Sequence, residues 1–310
     1  MRGRHVRLDR NTILGLAAIL LWSATVALAR SIAEQVGPLT AGAAVYLAAG
    51  LILCGHLAVR ERSFRRLREL PRLHLFGCGA LFLIYTLALF LALGLATDRY
   101  QTIEVGLLNY LWPAFTLFFS LPILGKRAGM GLVPATLLAL FGIFLVLTPG
   151  TSVSWRSFLV NLLSNPVAYG LGVVAAISWA LYSNLTRRWG GNRGAGAVPL
   201  FTLGTGVAFS AIRLFRPEPG TWSARVAAEV VLLALGTALA YMFWDLAMRQ
   251  GDMVLVAACS YLTPFLSTLV SCLYLGVLPG AGVWLGCTLI VVGSFWSWRS
   301  IARRSTGMPG

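Results

Sequence analysis

"NYLWPAF", Asn109 to Phe115, lies inside an apolar run that starts near Thr102 and ends at Pro122. An amide side chain and a proline stand where an uninterrupted membrane span would carry neither. Pro113 cannot donate to the carbonyl of Asn109, so a helix drawn through this stretch leaves that acceptor without its usual partner. In hydrocarbon such a group needs a neighbouring helix, water or a ligand. The arrangement recurs at "SYLTP", Ser260 to Pro264, 151 residues later. There Pro264 withholds the same bond from Ser260.

Composition decides which solvent the chain is folded for. Of 310 residues, 58% are hydrophobic and 11% charged, with mean hydropathy +0.78. A soluble domain carries about 25% charged residues, so an all-α integral membrane protein is expected. Apolar runs bounded by Arg, Pro or Gly clusters give ten candidate spans. They lie at about 12 to 30, 39 to 59, 73 to 94, 102 to 122, 131 to 148, 168 to 186, 195 to 215, 227 to 248, 253 to 276 and 281 to 298. Ten spans leave no room for a sizeable soluble domain, which favours a transporter or a channel.

The net charge of +15 invites a nucleic-acid reading, but its placement argues otherwise. With the N-terminus inside, the outer side keeps Arg30, Arg99, Arg156, Arg213, Arg216 and Arg225, and the other basic residues fall on the inner side. That asymmetry orients both termini to the cytoplasm and sets arginines against anionic lipid. There is no nucleic-acid motif, and membrane lipid is the expected surface partner. The basic start and "ALA" at Ala27 to Ala29 resemble a signal peptide. Removing that segment would destroy the internal repeat, so it is kept as the first span.

Cys54, Cys78, Cys259, Cys272 and Cys287 all fall within spans and show no CxxC spacing, so neither a disulfide framework nor a metal site is indicated. His5, His56 and His74 lie at or near the basic inner boundary, where structural or interfacial roles are expected. No motif calls for a cofactor.

The 151-residue shift also pairs Ala96 with Ala247, and "LWSA" at 21 to 24 pairs with "SWAL" at 178 to 181, a shift of 157. The chain therefore divides into two five-helix halves, residues 1–150 and 151–310. Five is odd, so the second half enters the membrane from the opposite face. This predicts a 5+5 inverted repeat with a substrate site near the midplane.

Thr102, Gly106, Asn109, Pro113, Thr116 and Ser120 follow one face of the fourth span, as Ala257, Ser260, Pro264, Ser267 and Ser271 follow the ninth. Such stripes either line a cavity or let helices pack closely. For Asn109 and Ser260, at the proline-freed carbonyls, the cavity is preferred. Trp22, Tyr85, Tyr110, Trp179, Tyr182 and Tyr261 fall well inside their spans, where each N–H or O–H needs a partner. Tyr46, Tyr241 and Trp244 lie less deep. Trp179, Tyr182 and Ser183 share a helix face. As a set these aromatics suggest a pocket that stacks flat apolar groups and offers a few donors. Ionisable residues inside spans reduce to Glu104 and Asp245, near the ends of their helices and available for coupling. Their position favours facilitated transport over a dedicated proton relay. Trp155, Phe158, Leu159 and Leu162 form the face of a short amphipathic helix on the outer surface.

The second half, "ALAYMFWDLAMRQGDMVLVAACSYLTPFLSTLVSCLYLG" followed by "WLGCTLIVVGSFW", resembles the EamA-type repeat of the drug/metabolite transporter superfamily. "GLLNYLWPAFTLFFSLPILGKR" and "SNPVAYGLGVVAAISWALYSNLTRRW" look more narrowly like the YddG-type aromatic amino acid exporters. The resemblance covers about residues 13 to 298. It implies an inner-membrane exporter of aromatic and other neutral amino acids, with a central cavity lined by spans 1, 3, 4, 6, 8 and 9. Carried over, the matching positions are Asn109, Tyr110, Trp112, Pro113, Ser260, Tyr261, Pro264, Trp22 and Trp179. The "LGE" that commonly ends spans 4 and 9 in the family reads "LGK" at Leu124 to Lys126 and "LGV" at Leu275 to Val277, so any role of that Glu is missing.

A substrate-binding set of Asn109, Tyr110, Trp112, Ser260, Tyr261, Trp179, Trp22, Tyr182, Tyr85 and Tyr241 is therefore expected, with Pro113 and Pro264 as hinges, in a monomer. Freed carbonyls would accept from an ammonium, while amide, phenol and indole groups would donate to a carboxylate. An enzyme is disfavoured. Asp245 and Asp252 straddle the end of a single helix at i and i+7, too far apart to share one water, and no nucleophile or HExxH motif occurs. The rival within the same fold is a carrier of hydrophobic cations, nucleotide-sugars or other small metabolites, with or without proton coupling.

Overall fold

The computed structural model describes residues 9–61, 70–148, 155–191, 196–275 and 280–302. In chain order it contains α1 (Arg10–Val36), α2 (Pro38–Glu61), a π-helical turn (Leu73–Cys78) that runs into α3 (Gly79–Leu95), α4 (Arg99–Asn109), α5 (Trp112–Leu124) and α6 (Leu132–Leu147). There follow α7 (Trp155–Ser164), α8 (Pro166–Trp189), α9 (Val198–Phe215), α10 (Ala224–Gln250), α11 (Met253–Cys259), a 3-10 turn (Ser260–Leu262), α12 (Thr263–Leu275) and α13 (Ala281–Ser300). Strands β1 (Arg127–Ala128) and β2 (Ile301–Ala302) pair antiparallel and tie the loop after α5 to the end of α13. Among the described residues eight helical stretches, against the ten expected, are long and apolar enough to cross a membrane, and Arg10–Ala24 and Leu132–Leu147 are shorter apolar helices. This is a multi-pass membrane protein.

Polar caps set the helix starts. Side chains of Asp9, Asp98, Asn165, Ser223 and Asp252 each accept from a backbone N–H of the first turn that follows them. The start of α2 is served from elsewhere: Glu218 accepts from the N–H groups of Leu39 at 3.0 Å and Thr40 at 2.8 Å. A carboxylate there also meets the positive end of the helix dipole.

The fourth and ninth spans are broken more completely than a kink would require. α4 stops at Asn109 and α5 starts at Trp112, which puts Pro113 in a first helical turn, where its missing N–H costs nothing. In the same way α11 ends at Cys259, and Pro264 stands in the first turn of α12. The small polar stripe is therefore interrupted. Its members satisfy themselves locally, with Thr116 donating to the Trp112 carbonyl at 2.7 Å and Ser120 to that of Leu117 at 2.6 Å. The Ser260 carbonyl, expected free, accepts from the Thr263 hydroxyl at 2.8 Å.

Packing partners exchange between the two halves. α2 lies along α9 and α6 along α13; α1 packs on α10 as α8 packs on α3, and α12 meets α1 as α5 meets α8. The exchange holds at atomic detail. A Cβ added at Gly50 would fall 2.5 Å from the Leu203 Cα, and one at Gly206 would fall 2.5 Å from the Leu47 nitrogen. Both glycine and partner are displaced by 156 positions. Gly142 and Gly286 face one another across α6 and α13, and a Cβ on either would meet the other's carbonyl oxygen at 2.6 or 2.7 Å. Without a hydrophobic drive between helices in lipid, such backbone contact is how they gain van der Waals energy.

Candidate functional site

α1, α3, α5, α8 and α10 converge on an aromatic cluster that also receives Tyr46 from α2 and Phe201 and Phe209 from α9. Trp179 is its centre, 2% exposed. Its ring lies 4.6 Å from Tyr85, 5.0 Å from Tyr182, 5.7 Å from Trp22, 5.8 Å from Tyr241 and 5.9 Å from Trp244, with Phe82 and Trp112 slightly farther out. Most of these pairs are edge-to-face or tilted, the arrangement the ring quadrupoles favour. Trp22 and Trp179, paired by the internal repeat, touch, and Tyr85 and Tyr241 stand 156 positions apart on α3 and α10.

Two pairs of polar groups inside this apolar volume are joined by hydrogen bonds. The hydroxyls of Tyr46 and Tyr241 share a hydrogen bond of 2.7 Å, and the indole N–H of Trp244 donates to the Ser183 hydroxyl at 3.2 Å. Tyr85 and Tyr110 lie deep among protein atoms yet keep part of their surface accessible. Half-buried Asn109 ends α4 immediately before Tyr110, and its buried Oδ1 has no hydrogen-bond partner among the described residues.

Of the ten residues the sequence points to, Trp22, Tyr85, Trp112, Trp179, Tyr182 and Tyr241 are brought together here. Ser260 and Tyr261 are not. Tyr261 is fully buried in a second cluster among α5, α6, α11 and α13, with its hydroxyl towards Thr136, and Tyr110 packs at that cluster's edge. The ninth span reaches the aromatic cluster through Met253 and Val256, with Cys259 and Leu266 packed against it. Phe82, Phe201 and Phe209 carry no polar atom and so gave no sign in the sequence. Trp244 and Tyr46, placed less deep there, belong to the centre.

The two acids lie away from the middle of the cluster. Glu104 is fully buried on α4 and accepts from the Tyr169 hydroxyl and from Asn161 Nδ2 at 3.1 Å, which joins α4, α7 and α8. Phe158 and Leu162 of α7 pack onto the same corner, and Asn165 adds bonds to the Leu95 carbonyl and to Gln101. Asp245, next to Trp244, is paired with Arg249 one turn along α10. Among the described residues no three His, Cys, Asp or Glu side chains gather as a metal site would need, and Cys54, Cys78, Cys259 and Cys287 are free thiols.

With this geometry in place, comparison with known proteins is specific. The chain is 32% identical over 296 residues to the aromatic amino acid exporter YddG of Escherichia coli (strain K12), covering 95% of this chain and 99% of that protein. It is 33% identical over 294 residues to the protein of the same name from Ancylobacter novellus, covering 91% and 95%. A solved crystal structure superposes with a TM-score of 0.78 at 28% identity, over 93% of this chain and 97% of that one. The profile of the EamA-like transporter family matches twice in succession, at residues 11–148 and 166–299. This chain is therefore a member of the EamA-like transporter family, whose members carry solutes and are not enzymes.

Proposed function

We propose that this protein exports aromatic and other neutral amino acids across a bacterial inner membrane. Ten spanning helices form two inverted five-helix repeats, with both termini in the cytoplasm. The observation that carries this reading is the aromatic cluster at the meeting of the two halves, with Trp22 and Trp179 in contact at its centre. Indole and phenol rings offer flat apolar faces, while the Tyr46–Tyr241 and Trp244–Ser183 pairs supply hydrogen bonds that a polar substrate can exchange for its own. The names of the relatives point to the same substrate class. A carrier of hydrophobic cations would need a net negative charge beside the rings. Asp245, the acid that borders them, is neutralised by Arg249.

Transport proceeds by alternating access. The halves of the broken spans, α4 with α5 and α11 with α12, move as separate rods about the breaks before Pro113 and Pro264, and the substrate's own gradient supplies the drive. The test is counterflow: liposomes holding the purified protein and unlabelled phenylalanine are offered labelled phenylalanine, with tryptophan, threonine and a hydrophobic cation as competitors. Saturable exchange inhibited by the amino acids, with an apparent affinity weakened about tenfold or more by Trp179→Ala, is expected. Absence of exchange by folded protein, or inhibition by the cation alone, would refute the proposal.

A further inference from the structure

Next to the aromatic cluster, at the end of the bundle where α1 begins and α10 ends, lies a group of buried polar side chains that the reading above leaves unused. His74 stands in the π-helical turn before α3, fully buried, and neither ring nitrogen has a hydrogen-bond partner among the described residues. Its ring lies 5.9 Å from that of Phe201 and within the fields of both Asp245 and Arg249. Asp245 is 2% exposed. Its Oδ2 accepts from Arg249 Nε at 2.8 Å and lies 2.7 Å from Nη2, whereas Oδ1 is unpartnered among the described residues. Thr186 on α8 is fully buried, and its hydroxyl has no hydrogen-bond partner among the described residues. The junction of α8 and α9 closes over the pair: a Cβ on Gly196 would fall 2.3 Å from Asp245 Oδ2, and one on Gly190 would fall 2.5 Å from Arg249 Cδ.

This arrangement is not there to hold the fold. An ion pair removed from water is expensive, and leaving a carboxylate oxygen and a whole imidazole unanswered beside it adds to the cost. A π-helical turn at His74 is a further irregularity of the kind that accompanies functional sites.

The chemistry of the group selects its ligand. Oδ1 of Asp245 is an acceptor left over from the ion pair, Arg249 has guanidinium N–H groups left beyond those it gives Asp245 and the Gly191 carbonyl, and His74 can donate or accept. The group as a whole is close to neutral. An amine or a carboxylate alone would satisfy one side and leave the other unanswered, whereas an α-amino acid head group brings both charges at a fixed spacing. We propose that His74, Asp245 and Arg249 form a subsite for the zwitterionic head group. The ammonium donates to Asp245 Oδ1, the carboxylate accepts from Arg249 and His74, and the substrate's side chain lies towards Phe82, Tyr182 and Phe201. This rests on the amino acid exporter reading and names the residues that recognise what all its substrates share.

The experiment measures equilibrium binding to purified protein of phenylalanine, of 3-phenylpropanoate, which lacks the ammonium, and of 2-phenylethylamine, which lacks the carboxylate. Unsubstituted protein is expected to prefer phenylalanine over either analogue by about tenfold or more. Asp245→Asn should weaken phenylalanine and 2-phenylethylamine by about tenfold or more and leave 3-phenylpropanoate unchanged. Because that variant strands Arg249, the double variant Asp245→Asn with Arg249→Gln, which buries no unpaired charge, decides the matter if the single one fails to fold. It should bind all three compounds within about threefold of one another. Folded variants that keep the unsubstituted protein's affinity and ranking overturn the subsite. So do variants that bind normally but lose a response to a pH gradient, which would assign the group to proton handling. If the unsubstituted protein binds and exchanges no amino acid, the exporter reading itself falls; if it exchanges them and the variants select as before, only the subsite does.

Discussion

Replacing Gly206 with alanine tests whether the α2–α9 contact sets the geometry of the aromatic centre. The added Cβ would lie 2.5 Å from the Leu47 nitrogen and 2.8 Å from the Leu47 Cα and the Tyr46 carbonyl carbon. Ordinary contact for such atoms begins near 3.4 Å, so the helices must part by about 0.9 Å. All three atoms are backbone, and no side-chain rotation relieves the clash. Tyr46 rides on the displaced segment with its hydroxyl 2.7 Å from that of Tyr241. Opening that distance by the same amount takes it to about 3.6 Å, beyond a hydrogen bond. Overpacking costs about 1–3 kcal/mol, the lost bond about 1 kcal/mol, and the better helix propensity of alanine returns about 1 kcal/mol. A net loss of about 1–3 kcal/mol follows. Gly204→Ala is the control, two residues away on the same helix with nothing within 4 Å of its Cβ. Thermal unfolding in detergent and phenylalanine counterflow should both be impaired in Gly206→Ala and unimpaired in Gly204→Ala. Equal behaviour of the two variants would refute the argument. Gly50→Ala, which meets the Leu203 backbone in the same way, should repeat the loss of stability.

Tyr46→Phe and Tyr241→Phe each strand the other hydroxyl in an apolar volume, so the double variant should be more stable than the single losses added together, by a coupling of about 1 kcal/mol. A thermal-unfolding cycle with strictly additive losses would show that the bond contributes nothing. Arg187 donates to the carbonyls of Met248, Arg249 and Gly251 at the negative end of α10. Arg187→Ala should cost about 1.5–3 kcal/mol, and Arg187→Lys should recover part of it, because charge at the helix terminus is kept and the planar fork is lost. An alanine variant that melts like the parent would dismiss this anchor. Pro264→Ala should slow turnover more than it weakens substrate binding, since the residue lies at the break between α11 and α12 and away from the aromatic centre. Unchanged turnover would remove it as a hinge.

The spans were legible because hydrocarbon leaves few ways to satisfy a backbone, and composition alone announces that solvent. What the breaks do was harder to see. Asn109 and Pro113 read as a kink in one helix with a free carbonyl, yet a proline can equally open a new helix, and only the turn at Tyr110 and Leu111 decides between the two. Trp22, Trp179, Tyr182 and Tyr241 were recoverable because each carries a donor that lipid cannot satisfy. Phe82 and Phe201 were not, since a phenylalanine in a span is as much at home in lipid as in a core. Phe76 is 70% exposed, while Phe82, six residues on, is fully buried. His74 looked interfacial by position, and what buries it is packing of its turn against α8 and against Phe201 of α9, a tertiary fact with no local signal.

The distribution of charge gives the arrangement its sense. The centre obeys the exchange between halves: Trp22 meets Trp179, and Tyr85 and Tyr241 flank them from equivalent helices. In the proposed cycle, contacts shared in this way would survive when the halves trade roles, so a ring held there would keep similar surroundings whichever side is open. The ends do not obey it. Glu104 closes one corner with Tyr169 and Asn161, and Asp245 pairs with Arg249, where the 151-residue shift that joins Ala96 to Ala247 sets Gly94 and Asp98, which form no ion pair. In the alternating-access cycle proposed above, inward-open and outward-open states would have equal free energy if both ends matched as the centre does. Polar clasps built in one half without equivalents in the other would make the two states unequal. On that proposal the fold separates a symmetric place to hold the side chain from asymmetric places that would decide which way the protein rests.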